Sequence, residues 1–156
     1  MNIEEQLITP FHAKKLSELG LYQDSIHFYQ MDCNDRWEIV CPSRHGEKYS
    51  AFTASELMDM LPSRITLKKG EPFNSFRLRI EKSFIVKDMD NPEKLSLTSN
   101  YIANYYCDTT GCTGEDAWLG RRLFANNISD ERFADCLAKV LVYLVENDLY
   151  GFKGNR

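Results

Sequence analysis

Glycine and proline are scarce, eight and five in 156 residues, so neither a collagen-like repeat nor a low-complexity linker fits the chain. The five cysteines, Cys33, Cys41, Cys107, Cys112 and Cys136, are an odd number without a C-x-x-C pair. That excludes a dense disulfide scaffold and leaves reduced thiols behaving as small hydrophobes. No apolar run approaches the roughly 18 residues of a membrane span, and the opening MNIEEQLITPFHAKK lacks the basic-then-apolar order of a secretory signal. Positive charge is not in excess either: 19 basic against 23 acidic side chains leave a net −4, so the whole chain is not drawn to nucleic acid or anionic lipid. The expectation is a soluble cytoplasmic protein with no membrane association.

What is present is a globular composition, 43% hydrophobic and 27% charged, in a length suited to one domain with one sizeable core. Residues 1–156 are expected to form that domain, with residues 1–8 a loose N-terminal arm.

The punctuation is clear in most places. Thr9-Pro10 reads as a helix start, with the threonine hydroxyl capping free N–H groups and proline in the first turn, and Gly20 as its left-handed stop. Residues 25–30 and 36–40 alternate like strands around the turn formers Asp32-Cys33-Asn34-Asp35, the signature of an antiparallel hairpin. A short strand is placed near Tyr49-Ser50-Ala51, and Thr53 or Ser55 opens a second helix that Pro62 ends. Ile65 and Leu67 start another strand, and a long one follows from Asn74 to about Val86. On it Phe76, Leu78, Ile80, Phe84 and Val86 point one way, interrupted by Lys82, while Arg77, Arg79, Glu81 and Ser83 point the other.

Residues 88–99 read as a polar loop, Tyr101–Cys107 as a strand and 108–116 as a Thr/Gly loop; Trp118–Phe124 fits either a short helix or a returning strand, with a strand near 121–125 favoured. Ser129 or Asp130 caps a last helix whose stripe is Phe133, Cys136, Leu137, Val140, Leu141, Leu144 and Val145. Leu149-Tyr150 then folds back onto the sheet. The order is α-β-β-α-β-β-β-β-α, an α+β fold with a mainly antiparallel sheet and helices packed on one face. Its expected core includes Leu16, Phe28, Trp37, Leu57, Leu61, Leu78, Ile80, Leu137, Leu141 and Leu144.

No constellation of residues carries a clear chemistry. Zinc needs four converging ligands, usually as two tight pairs; only Cys107 and Cys112 approach that spacing, while Cys33 and Cys41 flank opposite ends of a hairpin and His45 follows. Cys41 with His45 and Glu47 has the composition of a nucleophile and its base without any geometry to support it. Glu115-Asp116 lies adjacent on a loop, where carboxylates are usually solvated, and Gly111-x-x-Gly114 lacks the lysine and setting of a phosphate loop. His12 and His27 read as surface and sheet residues. No enzyme activity, metal or cofactor is expected.

Charge is less evenly spread. Residues 64–87 hold seven basic side chains and two acids, a net +5, against −5 for residues 1–63 and −4 for residues 88–156. Lys68, Arg77, Arg79 and Lys82, with Tyr101 and Tyr105 or Tyr106 on a neighbouring strand, have the makings of a surface that tracks phosphates and stacks bases. The plainer reading is a wet sheet face, or one that binds protein, whose basic residues discourage edge aggregation.

The run FADCLAKVLVYLVEN at residues 133–147, preceded by a strand, resembles the closing helix of small proteins carried by phages and mobile elements of gut bacteria. The early KKLSELG at Lys14–Gly20 and the short helix ending in Leu61-Pro62 belong to the same pattern, about a third of the chain. The resemblance implies no activity and no catalytic residues. It makes the leading expectation a non-enzymatic accessory protein acting through another protein or through itself, with nucleic-acid binding by the basic strands 64–87 as the alternative.

Overall fold

The computed structural model describes residues 3–21, 25–66, 75–87, 90–91, 96–107 and 122–150. The chain divides into two compact units, residues 1–61 with 132–156, and residues 62–131. The fold is α+β with the expected element order, to which a short helix at Ile3–Gln6 and a short strand at Tyr49–Ser50 are added, and its strands divide between two antiparallel sheets. Among the described residues no helix is long and apolar enough to cross a membrane.

In the first unit, β1 (Phe28–Met31) is the central strand, with β2 (Trp37–Val40) and β3 (Tyr49–Ser50) on its flanks. The register runs from Phe28 opposite Val40 to Met31 opposite Trp37. The β1–β2 turn is built by Asp32, whose carboxylate accepts the N–H groups of Asn34 and Arg36, each at 2.8 Å, while Asp35 takes the left-handed conformation at φ 58°. The Arg36 N–H is the main reason the Asp32 carboxyl lies below its ordinary range.

Four helices are described: α1 (Ile3–Gln6), α2 (Pro10–Glu18), α3 (Ala54–Met60) and α4 (Phe133–Glu146). Thr53 opens α3 with a full capping box: its hydroxyl accepts from Glu56 N at 3.2 Å, and the Glu56 carboxylate accepts from Thr53 N at 2.6 Å. Gly20, at φ 79°, lies just past the end of α2, where an L side chain would be strained. Helix α4 buries Ala134, Cys136, Leu137, Ala138, Val140, Leu141 and Leu144, the face that its period of 3.6 marks out.

The second unit is a sheet of order β4-β5-β6-β7, from β4 (Arg64–Thr66), β5 (Ser75–Lys87), β6 (Ser96–Cys107) and β7 (Ile128–Asp130). The β5–β6 pair dominates it, in register from Phe76 opposite Cys107 to Lys87 opposite Ser96. Its core gathers Phe76, Ala103, Tyr105 and Phe124; the Tyr105 and Phe124 rings meet edge to face at 5.8 Å, and Tyr105 Oη donates to Pro62 O at 2.6 Å. Asn104 is buried with its amide satisfied, accepting from Tyr105 N and Phe124 N and donating to Phe124 O and Asn127 Oδ1.

Several expectations are corrected. Within the expected arm at residues 1–8, the described residues 3–8 are not loose: Ile3–Gln6 is helical, Leu7 bridges Thr53, Ile8 N donates to Phe52 O at 3.0 Å, and Leu7 and Ile8 are fully buried. Two adjacent apolar residues flanked by polar ones carry no periodicity, so their burial left no pattern to read. Ser129 and Asp130 do not cap the last helix, because both lie in β7, and α4 starts after Arg132. The strand placed at 121–125 reduces, within the described residues, to an isolated bridge between Arg122 and Tyr106. Strand β6 begins at Ser96, inside the stretch expected to be a loop. Tyr150 does not return to a sheet; its hydroxyl donates to Met60 O, at the end of α3. Trp37, Leu78 and Ile80 are half-buried, whereas the other seven expected core residues are buried.

Leu141 has no exposed surface. Leu141→Ala should therefore lose about 3 kcal/mol of unfolding free energy, read as a lower urea midpoint; an unchanged midpoint would take α4 out of the core.

Candidate functional site

The β5–β6 hairpin carries the residues singled out by charge, and pairing fixes their faces. Arg77 pairs with Tyr106 and Arg79 with Asn104 on one face; Lys82 pairs with Tyr101 on the other. Lys68 lies outside the described residues. The Arg79 guanidinium is held 2.7 Å from Glu81 and sits over the Tyr106 ring at 5.6 Å. Lys82 Nζ lies 5.6 Å from the rings of both Phe84 and Tyr101. Tyr105, a candidate for base stacking, is fully buried. The structure thus brings Arg77, Arg79 and Tyr106 together and separates them from Lys82 and Tyr101.

The outer half of the same hairpin departs from expectation more sharply. Strand β4 pairs only with residues 75–77 of β5, and β7 only with residues 101–103 of β6. Beyond them, residues 83–87 and 96–100 form a two-stranded ribbon with no further strand among the described residues. Phe84 is 62% exposed, Val86 42% and Leu97 71%, and all three share one face, with Val86 directly opposite Leu97. Alternation identifies the face correctly; it carries no information on whether another layer covers it.

The polar centre of the first unit lies elsewhere. Asp135, in the first turn of α4, is 2% exposed, and its Oδ1 collects three donors: Thr9 N at 2.7 Å, His12 Nδ1 at 2.9 Å and Thr9 Oγ1 at 3.1 Å. Arg132 Nε lies 3.4 Å from Oδ2, and its guanidinium also donates to Leu7 O at 2.7 Å. Burial alone would push the Asp135 carboxyl upward; the His12 hydrogen bond, the Thr9 N–H and the charges of His12 and Arg132 outweigh it and hold the carboxyl below its ordinary range. Because a carboxylate only accepts, the proton shared with Asp135 sits on Nδ1 of His12.

This is the aspartate–histidine half of a catalytic triad in outline. The nearby hydroxyl is on the wrong side, however: Thr9 Oγ1 is 2.9 Å from Nδ1, the nitrogen already committed to Asp135. In such a triad the nucleophile faces Nε2, whereas this cluster's contacts join α2 to α4 through Asp135. Sequence reasoning put His12 on the surface and Thr9 in a simple cap. The Thr9 hydroxyl makes no cap bond to its own helix, and its partner Asp135 lies 126 positions away, a separation that no local signal bridges.

The remaining candidates do not assemble. Cys41 is exposed with Sγ 3.1 Å from Ser43 Oγ, a contact that lowers the thiol below its ordinary value. His45 offers its carbonyl to Gln30 Nε2 at 2.9 Å. Cys112, Glu115 and Asp116 lie outside the described residues, among which no three His, Cys, Asp or Glu side chains gather as metal ligands. Compared with protein-family models, with curated proteins and with solved structures, the chain matches none.

Asp135→Asn keeps the shape of the buried group and removes its charge, and should cost about 2 kcal/mol at neutral pH. A carboxyl depressed in the folded state contributes stability that is present above its unfolded pKa and lost as pH falls through the folded value. Urea titrations between about pH 7 and pH 3 should show a larger acid-side loss in the wild type than in Asp135→Asn; equal slopes would remove Asp135 from this role.

Proposed function

We propose that this chain is a non-enzymatic accessory protein, of the phage and mobile-element kind that its helices resemble, acting by protein binding and first of all by self-association. The observation that supports this most is the outer β5–β6 ribbon. Three large apolar side chains, Phe84, Val86 and Leu97, share a face and are exposed, each carrying about 1.5–3 kcal/mol of burial free energy when fully covered. A two-stranded ribbon is marginal in water without a third layer or strand. Natural edge strands usually protect themselves with lysine, proline or a bulge. The outer stretch of β6, Ser96-Leu97-Thr98-Ser99-Asn100, has no charge and no proline. Two copies of that edge can pair about a two-fold axis without setting like charges opposite each other, in a self-complementary contact.

A second reading rests on a different observation: Arg77 and Arg79 share a face with Tyr106, and Arg79 stacks on its ring. That is the composition of a single-strand binding surface. Against it, Arg79 is already paired with Glu81 at 2.7 Å, and Lys82 lies on the far face.

One set of variants separates the two. Phe84→Lys combined with Leu97→Lys should convert a concentration-dependent dimer to a monomer by light scattering. A wild type that stays monomeric at about 100 µM, where even an association of roughly −5.5 kcal/mol is half populated, would overturn self-association. Arg77→Ala with Arg79→Ala should leave the dimer intact. Under the nucleic-acid reading it should lower the log–log salt slope of a gel-shift titration by about two.

A further inference from the structure

A groove of about 340 Å³ opens on the three-stranded sheet of the first unit, lined by Lys14, Gln30, Met31, Trp37, Glu47 and Tyr49. That volume is at the lower end of small-molecule sites, roughly 300–1,000 Å³. Met31 and Trp37 face each other across β1 and β2, and the Trp37 and Tyr49 rings meet at 5.8 Å and 64°. The apolar side of the groove is therefore two fixed rings and a pliable thioether.

The polar side is held as firmly. Gln30 Nε2 donates to His45 O, which ties the 43–48 loop to β1. Gly46 in that loop has φ 115°, and a Cβ there would collide with the Gln30 amide. Next to it Glu47 accepts from Tyr49 Oη at 2.9 Å, an acceptor that raises the phenol above its ordinary range. Glu47 and Lys14 line one groove, yet neither has an ion-pair partner among the described residues and they do not bridge each other.

An unpaired cation and an unpaired anion beside one aromatic floor select against most ligands. A simple cation meets Lys14, a simple anion meets Glu47, and a neutral apolar molecule leaves both charges unanswered. A zwitterion answers both, and the volume leaves room for one side chain against the rings. We propose that this groove binds a free α-amino acid with an apolar or aromatic side chain, its carboxylate on Lys14, its ammonium on Glu47 and its side chain against Trp37, Tyr49 and Met31. This ligand site is independent of the β5–β6 ribbon and of any self-association through it.

The test uses the full chain, with L-phenylalanine and L-leucine titrated against the indole N–H of Trp37 in an NMR spectrum, assigned through Trp37→Phe. Phenethylamine, which lacks the carboxylate, and 3-phenylpropanoate, which lacks the ammonium, are the matched probes. L-Phenylalanine should bind at least about tenfold more tightly than either, one charge contact being worth about that factor. Glu47→Gln should weaken L-phenylalanine about tenfold and leave 3-phenylpropanoate no weaker. Lys14→Ala should weaken L-phenylalanine similarly and leave phenethylamine no weaker. Both replaced side chains are exposed, so unchanged thermal unfolding is expected in each. No shift of the Trp37 signal with either amino acid up to about 10 mM would overturn the proposal, as would equal binding of all three phenyl compounds or no effect of either variant on L-phenylalanine.

Discussion

The Asp135 carboxylate is the interaction on which the first unit most depends. It lies in the first turn of α4 and binds the N–H, the hydroxyl and the imidazole that surround the start of α2. A buried carboxylate tolerates its surroundings only when its lone pairs are answered, so α2 and α4 are held to one relative placement. Arg132 extends the constraint, reaching from the same carboxylate to the carbonyl of Leu7. From there the chain continues into Ile8, whose N–H donates to Phe52 O and whose carbonyl accepts from Tyr29 Oη. One charge thereby couples both ends of the unit to the sheet between them.

Most of the element order was legible because each element carries its own local signal. The α4 stripe, the Asp32 turn and a helix start at Thr53 or Ser55 can each be read within a few residues, and the structure has all three, with Thr53 as the cap. The failures share a cause. Burial of Leu7 and Ile8 goes with a partner segment at Phe52 and Thr53, more than 40 positions away, and the site around Asp135 depends on residues far apart in the chain. The start of β6 at Ser96 was hidden because Ser-Leu-Thr-Ser-Asn reads as a loop until its pairing with β5 is known.

The same limit explains the long hairpin. Its alternation is genuine, with Phe76 and Leu78 on the face that also carries Phe84 and Val86, and sequence alone extends burial along the whole face. Pairing on the flanks stops partway, because β4 and β7 are three residues each. Phe76 is therefore sealed, and Phe84 faces water. Strand lengths, which a periodicity does not contain, decide where the core ends.

The division of the chain has a consequence for its synthesis. The first unit is assembled from residues 1–61 and 132–156, with the second unit inserted between them. As the chain leaves the ribosome, α2 and the β1–β3 sheet emerge long before the carboxylate that α2 requires. Until α4 follows, Thr9 and His12 have no anion to bind, and Leu16, Leu57 and their neighbours lack the helix that packs against them. The inserted unit closes over much shorter loops and can form while the first unit waits. The inserted unit can therefore become stable before the unit that it interrupts.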